Sequence, residues 1–121
     1  MRNTPTLSLQ QRNLLPLTPA VFFILFALAD GEKHGYAVMQ QVSVLSDGKL
    51  RMGPGTLYTT IQRLLRLSLI EETTHKDEPE GRRRYYRLTG QGETLLQTEI
   101  SRMDAVLRLA HQKRLVTRDA K

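Results

Sequence analysis

The chain has 121 residues, with 18 Lys and Arg against 12 Asp and Glu, a net charge of +6 and no cysteine. That length suits one domain with a modest core, to which a partner subunit can add burial. The missing cysteines exclude disulfides and Cys-ligated zinc, and the basic balance favours a polyanionic partner, because lysines and arginines set against phosphates release counterions.

Residues 1–17 are polar and dotted with Leu7, Leu14, Leu15 and Leu17. They read either as an arm that packs on a partner or as a loose lead, and they lack the basic stub and apolar block of a signal peptide. Thr18-Pro19 predicts a helix start, with threonine capping and proline pre-set at the first helical position. The run Ala20 to Ala29 is apolar all round but short of the ~20 residues that span a bilayer, so it is expected to be a buried core helix, ended by Asp30-Gly31. No membrane association and a cytoplasmic location are expected.

A second helix is predicted from His34 to Leu45, with Tyr36, Met39, Val42 and Leu45 at helical spacing and Ser46-Asp47-Gly48 as its breaker. Lys49 to Met52 alternates polar and apolar residues and reads as a short strand. Gly53 then serves as N-cap and Pro54 as first residue of a third helix reaching about Leu67. Along it Leu57, Tyr58, Ile61, Leu64 and Leu65 share one arc, while Thr56, Thr59, Thr60, Gln62, Arg63 and Arg66 fill the rest. A solvated face can have this composition. The polar types also suit a major groove: arginine forks onto guanine, glutamine pairs with adenine, and threonine offers a hydroxyl and a methyl. At its amino end Gly55 and Thr56 allow the backbone to approach phosphate, where free amides and the helix dipole favour an anion.

Two strands are predicted next, Leu69 to Thr74 and Arg83 to Leu88, joined by the turn-prone Lys76 to Gly81. Alternation puts Arg83, Tyr85 and Arg87 on one face and Arg82, Arg84, Tyr86 and Leu88 on the other, so Tyr86 and Leu88 can enter the core while arginines gather near the hairpin tip. An arginine-rich edge also blocks strand pairing. Its place directly after the reading helix favours phosphate or minor-groove contact by Arg82, Arg83 and Arg84. Thr89 caps a last helix from about Gly90 to Leu115, whose first turn Gly90 and Gly92 are expected to soften. Leu96, Ile100, Met103, Leu107 and Ala110 are spaced 4, 3, 4 and 3, the seam of a packed helix pair, widened by Leu95, Val106 and Leu109. This helix is expected to join two subunits, placing two reading helices in successive major grooves of a palindromic double-stranded DNA site.

Taken together, His34-Gly35-Tyr36, Pro54-Gly55-Thr56-Leu57-Tyr58, Leu69-Ile70 and Arg82 to Thr89 carry a resemblance. Over about Thr18 to Leu115 the chain resembles the PadR-family winged helix-turn-helix transcriptional regulators, in their compact branch with one C-terminal helix. The fold expected is α+β, mainly α, with a two-stranded wing and a long dimerisation helix. Its parts are an arm (1–17), a winged helix domain (18–88), the dimerisation helix (89–115) and a basic tail (116–121). The resemblance implies a homodimeric DNA-binding repressor of neighbouring genes that an effector releases. It also implies that Phe22, Phe23 and Phe26, otherwise core aromatics, border a cavity for a small hydrophobic or aromatic effector. Residues expected on DNA are Gly55, Thr56, Tyr58, Thr59, Thr60, Arg63, Arg82, Arg83 and Arg84. The chain departs from the family pattern at Gly53, Thr59 and 65–68, where Ser68 lacks glycine's freedom at positive φ.

Neither catalysis nor a cofactor is expected. His34, His75 and His111 are scattered over separate elements, so no zinc site or catalytic base is expected, and His34 reads as a helix-start residue. Gly53 to Thr56 lacks the Gly-Lys-Ser/Thr of a nucleotide loop. Glu71 and Glu72 lie on opposite strand faces and form no acid-base pair. An interaction module of the same fold without DNA binding is the alternative.

Overall fold

The computed structural model describes residues 5–74 and 84–117. In chain order they form α1 (Leu9–Arg12), α2 (Pro19–Ala27), β1 (Lys33–His34), α3 (Gly35–Leu45), α4 (Pro54–Arg66), β2 (Ile70–Thr73), β3 (Tyr85–Leu88) and α5 (Gly90–Gln112). The sheet is antiparallel with order β1-β3-β2, and Ile70 faces Leu88 while Glu72 faces Tyr86. The expected two-stranded wing thus gains a third strand, in which Lys33 pairs with Tyr86 and His34 with Tyr85. His75, Arg82, Arg83 and the Lys76 to Gly81 turn lie outside the described residues.

The helix starts follow their capping residues. Thr18 Oγ1 accepts the Val21 amide at 3.3 Å, His34 Nδ1 accepts the Ala37 amide at 3.2 Å, and Thr89 Oγ1 accepts the Gly92 amide at 3.0 Å. Each satisfies an amide that has no partner inside its helix. Leu17, Val21, Ile24, Leu25, Val38, Val42, Leu57, Ile61, Leu64, Leu69, Ile70, Tyr86 and Leu95 meet in one core.

Several expectations need correction. The 49–52 segment is no strand; Met52 is buried and Leu50 packs partly buried against the core, but no strand among the described residues offers the segment a ladder. The inward face of α3 is Gly35, Val38 and Val42, whereas Tyr36 is 59% exposed and Leu45 36%. Four apolar residues at helical spacing fitted more than one arc, and packing against α2 chose the one carrying β-branched Val38 and Val42. On α2, Val21, Ile24, Leu25 and Ala27 are buried, but Phe22 and Phe23 are half-buried and Phe26 is exposed. A fully buried helix was the wrong description, since Phe22 and Phe23 pack only partly against the core and Phe26 is exposed.

Residues 7–17 fold onto their own chain. Ser8 and Gln11 form a reciprocal capping box that starts α1, with the Gln11 amide donating to Ser8 Oγ at 3.1 Å and the Ser8 amide to Gln11 Oε1 at 2.8 Å. Buried Gln11 then donates from Nε2 to the Leu67 carbonyl at 2.7 Å, and the Leu17 amide donates to Glu99 Oε2 at 2.9 Å. The arm is fastened at both ends, once to α4 and once to α5.

Serine does not prevent the expected left-handed stop after α4. Ser68 adopts φ 60°, its amide donates to the Leu65 carbonyl at 3.0 Å and the Leu69 amide to the Leu64 carbonyl at 3.0 Å. That paired pattern is a Schellman end, and its two bonds offset the ~1–2 kcal/mol that a Cβ-bearing residue loses in this conformation. Thr89 Oγ1 donates to the Ser68 carbonyl at 2.7 Å and the Thr89 amide to the Leu69 carbonyl at 3.1 Å, so the start of α5 clasps the end of α4. There Gly92 is buried, and a Cβ on it would stand 1.9 Å from the Leu69 carbonyl oxygen. Gly92 therefore permits a close approach rather than merely softening a helix.

Candidate nucleic-acid interface

Gly55, Thr56, Thr59 and Thr60 make α4 a poor helix by propensity, each less favourable than alanine by ~0.5–1 kcal/mol. Packing overrides this: Leu57, Ile61 and Leu64 are fully buried and each contributes about 2 kcal/mol. With that face fixed inward, Gly55, Thr56, Thr59, Gln62, Arg63 and Arg66 are exposed together on the other. The N-cap Gly53 contributes no side-chain bond and Pro54 has no amide, so the first turn presents unfilled backbone amides to solvent at the positive end of the helix dipole. A Cβ on Gly55 would meet nothing within 4 Å, so the surface beside that first turn is open.

Two expected residues are less free. Thr60 is half-buried, and its hydroxyl donates to the Thr56 carbonyl at 2.9 Å. Tyr58 is 43% exposed but leans across α3, its hydroxyl occupying the position where a Gly35 Cβ would come within 2.1 Å. Gly35 thus makes room for Tyr58, which explains glycine in the middle of His34-Gly35-Tyr36. Tyr36, noted in the sequence only for its helical spacing, is exposed, as are Tyr58 and Thr56. Only the contrast between aromatic Tyr36 and the β-branched pair Val38 and Val42 hinted at this in the sequence.

On the wing, Tyr86 is buried and Leu88 half-buried, while Arg84 is exposed. Arg84 Nε lies 3.6 Å from Glu72 Oε2, and Arg87 donates to Glu71 Oε2 at 2.7 Å across the strands. Both pairs are exposed and worth little, so each arginine can exchange its carboxylate for a stronger anion. Glu71 and Glu72 lie on opposite faces, each engaged by its own arginine. His34 stacks edge-on against Tyr85 with ring centres 5.5 Å apart. Among the described residues, no cluster of three metal-ligating side chains is present and no helix is long and apolar enough to cross a membrane.

At the far end, α5 divides in two. Leu95 and Leu96 are buried in their own protomer, so Leu96 is withdrawn from the seam expected between subunits. From Ile100 onward Met103, Val106, Leu107 and Leu109 are 39–53% exposed and Ala110 is half-buried. The helix ends at Gln112 rather than Leu115.

The model of the transcriptional regulator PadR-like family matches residues 24–98, well over half of the chain. The protein belongs to this family. Its fold is similar to that of a PadR family transcription regulator from Clostridium difficile, 22% identical, with a TM-score of 0.66 over 78% of this chain and 97% of that one. It is similar also to Bacillus subtilis PadR solved with operator DNA, 20% identical, with a TM-score of 0.62 over 70% of this chain and 47% of that one. In sequence it resembles an uncharacterized 37.1 kDa protein of transposon TN4556 from Streptomyces fradiae, 38% identical over 84 residues that make up 69% of this chain. This PadR-like chain spans 23% of that relative's length. It also resembles an uncharacterized protein X from Lysinibacillus sphaericus, 30% identical over 60% of this chain and 67% of that one.

Proposed function

We propose that this PadR-like regulator is a homodimeric, sequence-specific DNA-binding repressor of a nearby operon, acting on a palindromic operator in the cytoplasm and released by a small effector. The observation that carries the reading is α4: a fully apolar inner face fixes an outer face of Gly55, Thr56, Thr59 and Arg63 around unfilled first-turn amides. Gly55 and Thr56 amides take a phosphate, Thr59 and Arg63 reach base edges, and Arg82, Arg83 and Arg84 hold the flanking backbone. Exposed Tyr36 on α3 and Tyr58 on α4 add hydroxyl donors. The solved Bacillus subtilis PadR complex supports this use of the fold.

Substitution of Gly55 separates folding from binding. Because a Cβ there touches nothing, Gly55→Ala is expected to keep thermal stability or raise it by up to about 1 kcal/mol. It should weaken binding to fragments selected from genomic DNA at least tenfold, since the methyl occupies the space a phosphate needs. Fluorescence anisotropy beside a melting curve reads both quantities. Unchanged affinity would take the α4 amino end off the DNA, and failure of the native protein to retain any duplex would favour the interaction-module reading.

The dimer rests on the apolar residues that α5 exposes beyond its own core, Ile100, Met103, Leu107 and Ala110 among them. Leu107→Glu is expected to convert dimer to monomer in sedimentation at micromolar concentration and to reduce operator affinity about a hundredfold, as one half-site is lost. A dimer that persists would place the interface elsewhere. For the effector, Phe22, Phe23 and Phe26 offer an aromatic surface, with ring centres of Phe22 at 5.1 Å from Phe23 and 5.3 Å from Phe26. A small aromatic or hydrophobic molecule suits it.

A further inference from the structure

The short helix α1 precedes the stretch matched by the family model, yet it is bolted to the reading helix by the Gln11 bond to the Leu67 carbonyl at 2.7 Å. Burial of Gln11 decides what lies on either side of it. Gln10 and Asn13 stand beside Arg63 and Arg66, and with Leu14 and Leu67 they line an open hollow of about 440 Å³. Neither guanidinium is paired with a carboxylate among the described residues, although Arg84, Arg87, Arg102 and Arg108 all are. Among the described residues the hollow therefore holds two positive charges without a carboxylate partner and two carboxamides, and no acidic group lines it.

We propose that this hollow is an anion site that α1 adds to the reading helix, and that it takes a backbone phosphate of the bound DNA duplex. The assignment rests on the DNA-binding reading above. Arg66 forks onto the phosphate oxygens, Arg63 lies one turn nearer the bases, and the amide groups of Gln10 and Asn13 complete the shell with neutral donors. The carboxyl end of a helix ordinarily repels anions, with a charge equivalent to about −0.5. Here the carbonyls of Arg63, Leu64, Leu65 and Leu67 are each engaged, by the Leu67, Leu69 and Ser68 amides and by Gln11 Nε2 respectively. Two guanidinium charges outweigh what is left. The position also fits: Thr56, Thr59, Arg63 and Arg66 are spaced 3, 4 and 3 residues along one outer ridge of α4, so the hollow continues that ridge onto α1.

The test uses the full chain and a 30-base-pair duplex of mixed sequence, with affinity measured from about 50 to 200 mM salt. Arg66→Ala and Asn13→Asp are each expected to lower the slope of log K against log salt by about one per protomer, with melting temperature and base preference unchanged. Thr59→Asp serves as the control for the reading helix. If it abolishes binding while Arg66→Ala and Asn13→Asp leave the slope as it was, the proposal is overturned and the DNA reading stands. If the native protein retains no duplex, both fall together. Inorganic phosphate titrated against the DNA-free protein, followed through the arginine side-chain NMR signals, tells the two anion sources apart. Saturable phosphate binding that Asn13→Asp abolishes without any change in the DNA slope would assign the hollow to a free anion and overturn the backbone contact.

Discussion

Gly92→Ala is expected to lower the melting temperature by about 10 °C or more, or to prevent folding altogether. Helix propensity alone predicts the opposite, a gain near 1 kcal/mol on removing glycine from a helix. The added methyl would lie 1.9 Å from the Leu69 carbonyl oxygen and 3.0 Å from its carbon. That carbonyl cannot swing aside cheaply, because it accepts the Thr89 amide at 3.1 Å while the Leu69 amide closes the end of α4. Overpacking against fixed backbone costs about 3 kcal/mol, the upper part of the usual range, which outweighs the propensity gain and sets the sign. Thermal melts followed by circular dichroism measure it. A variant as stable as the native protein would mean that α5 can slide away from β2 without losing the Thr89 clasp.

The second large effect is expected at Glu99, which is 1% exposed and serves three donors: the Leu17 amide at 2.9 Å and Arg102 at 2.7 and 3.0 Å. Glu99→Ala leaves the Leu17 amide buried without an acceptor and a cavity beside it, costing about 2–4 kcal/mol. Glu99→Gln keeps an acceptor for Leu17 but loses the charged fork, and should cost less. The two Arg102 hydrogen bonds hold the Glu99 carboxyl below its ordinary value even though burial pushes it up. A depressed folded value means that the proton binds the unfolded chain more readily. The stabilisation is therefore complete above about pH 4.5 and is lost as the pH falls through the lower folded value. The stability gap between native protein and Glu99→Gln should narrow over that acid range. A gap that stays constant down to pH 2 would show that the carboxylate charge contributes nothing.

Much of the reading helix was legible because its signal is local. Gly53-Pro54 marks the start, and Leu57, Ile61 and Leu64 set an arc that leaves one choice of inward face. The alternation of Tyr86 and Leu88 likewise marked which side of the wing meets the core. What escaped was decided by distant partners. β1 is two residues long and has no period to detect; it exists because β3 offers Tyr85 and Tyr86 an open edge. Lys49 to Met52 had the alternation but no such edge. Ser8-x-x-Gln11 is a readable capping signature, yet nothing local says that Gln11 reaches residue 67. For Leu96 the heptad spacing was sound, but a seam does not say whether its neighbour is the same chain or another. The burial of Glu99, the residue directly before Ile100, marks where α5 leaves the core of its own domain.

That division of α5 has a consequence for how the protein can vary. Up to Glu99 the helix answers to its own domain, and a change there is registered as instability. Past that residue the side chains up to Leu109 are exposed on the monomer, so in the proposed dimer substitutions there can reset the angle between two copies, and with it the half-site spacing they span, while each winged-helix head keeps its shape.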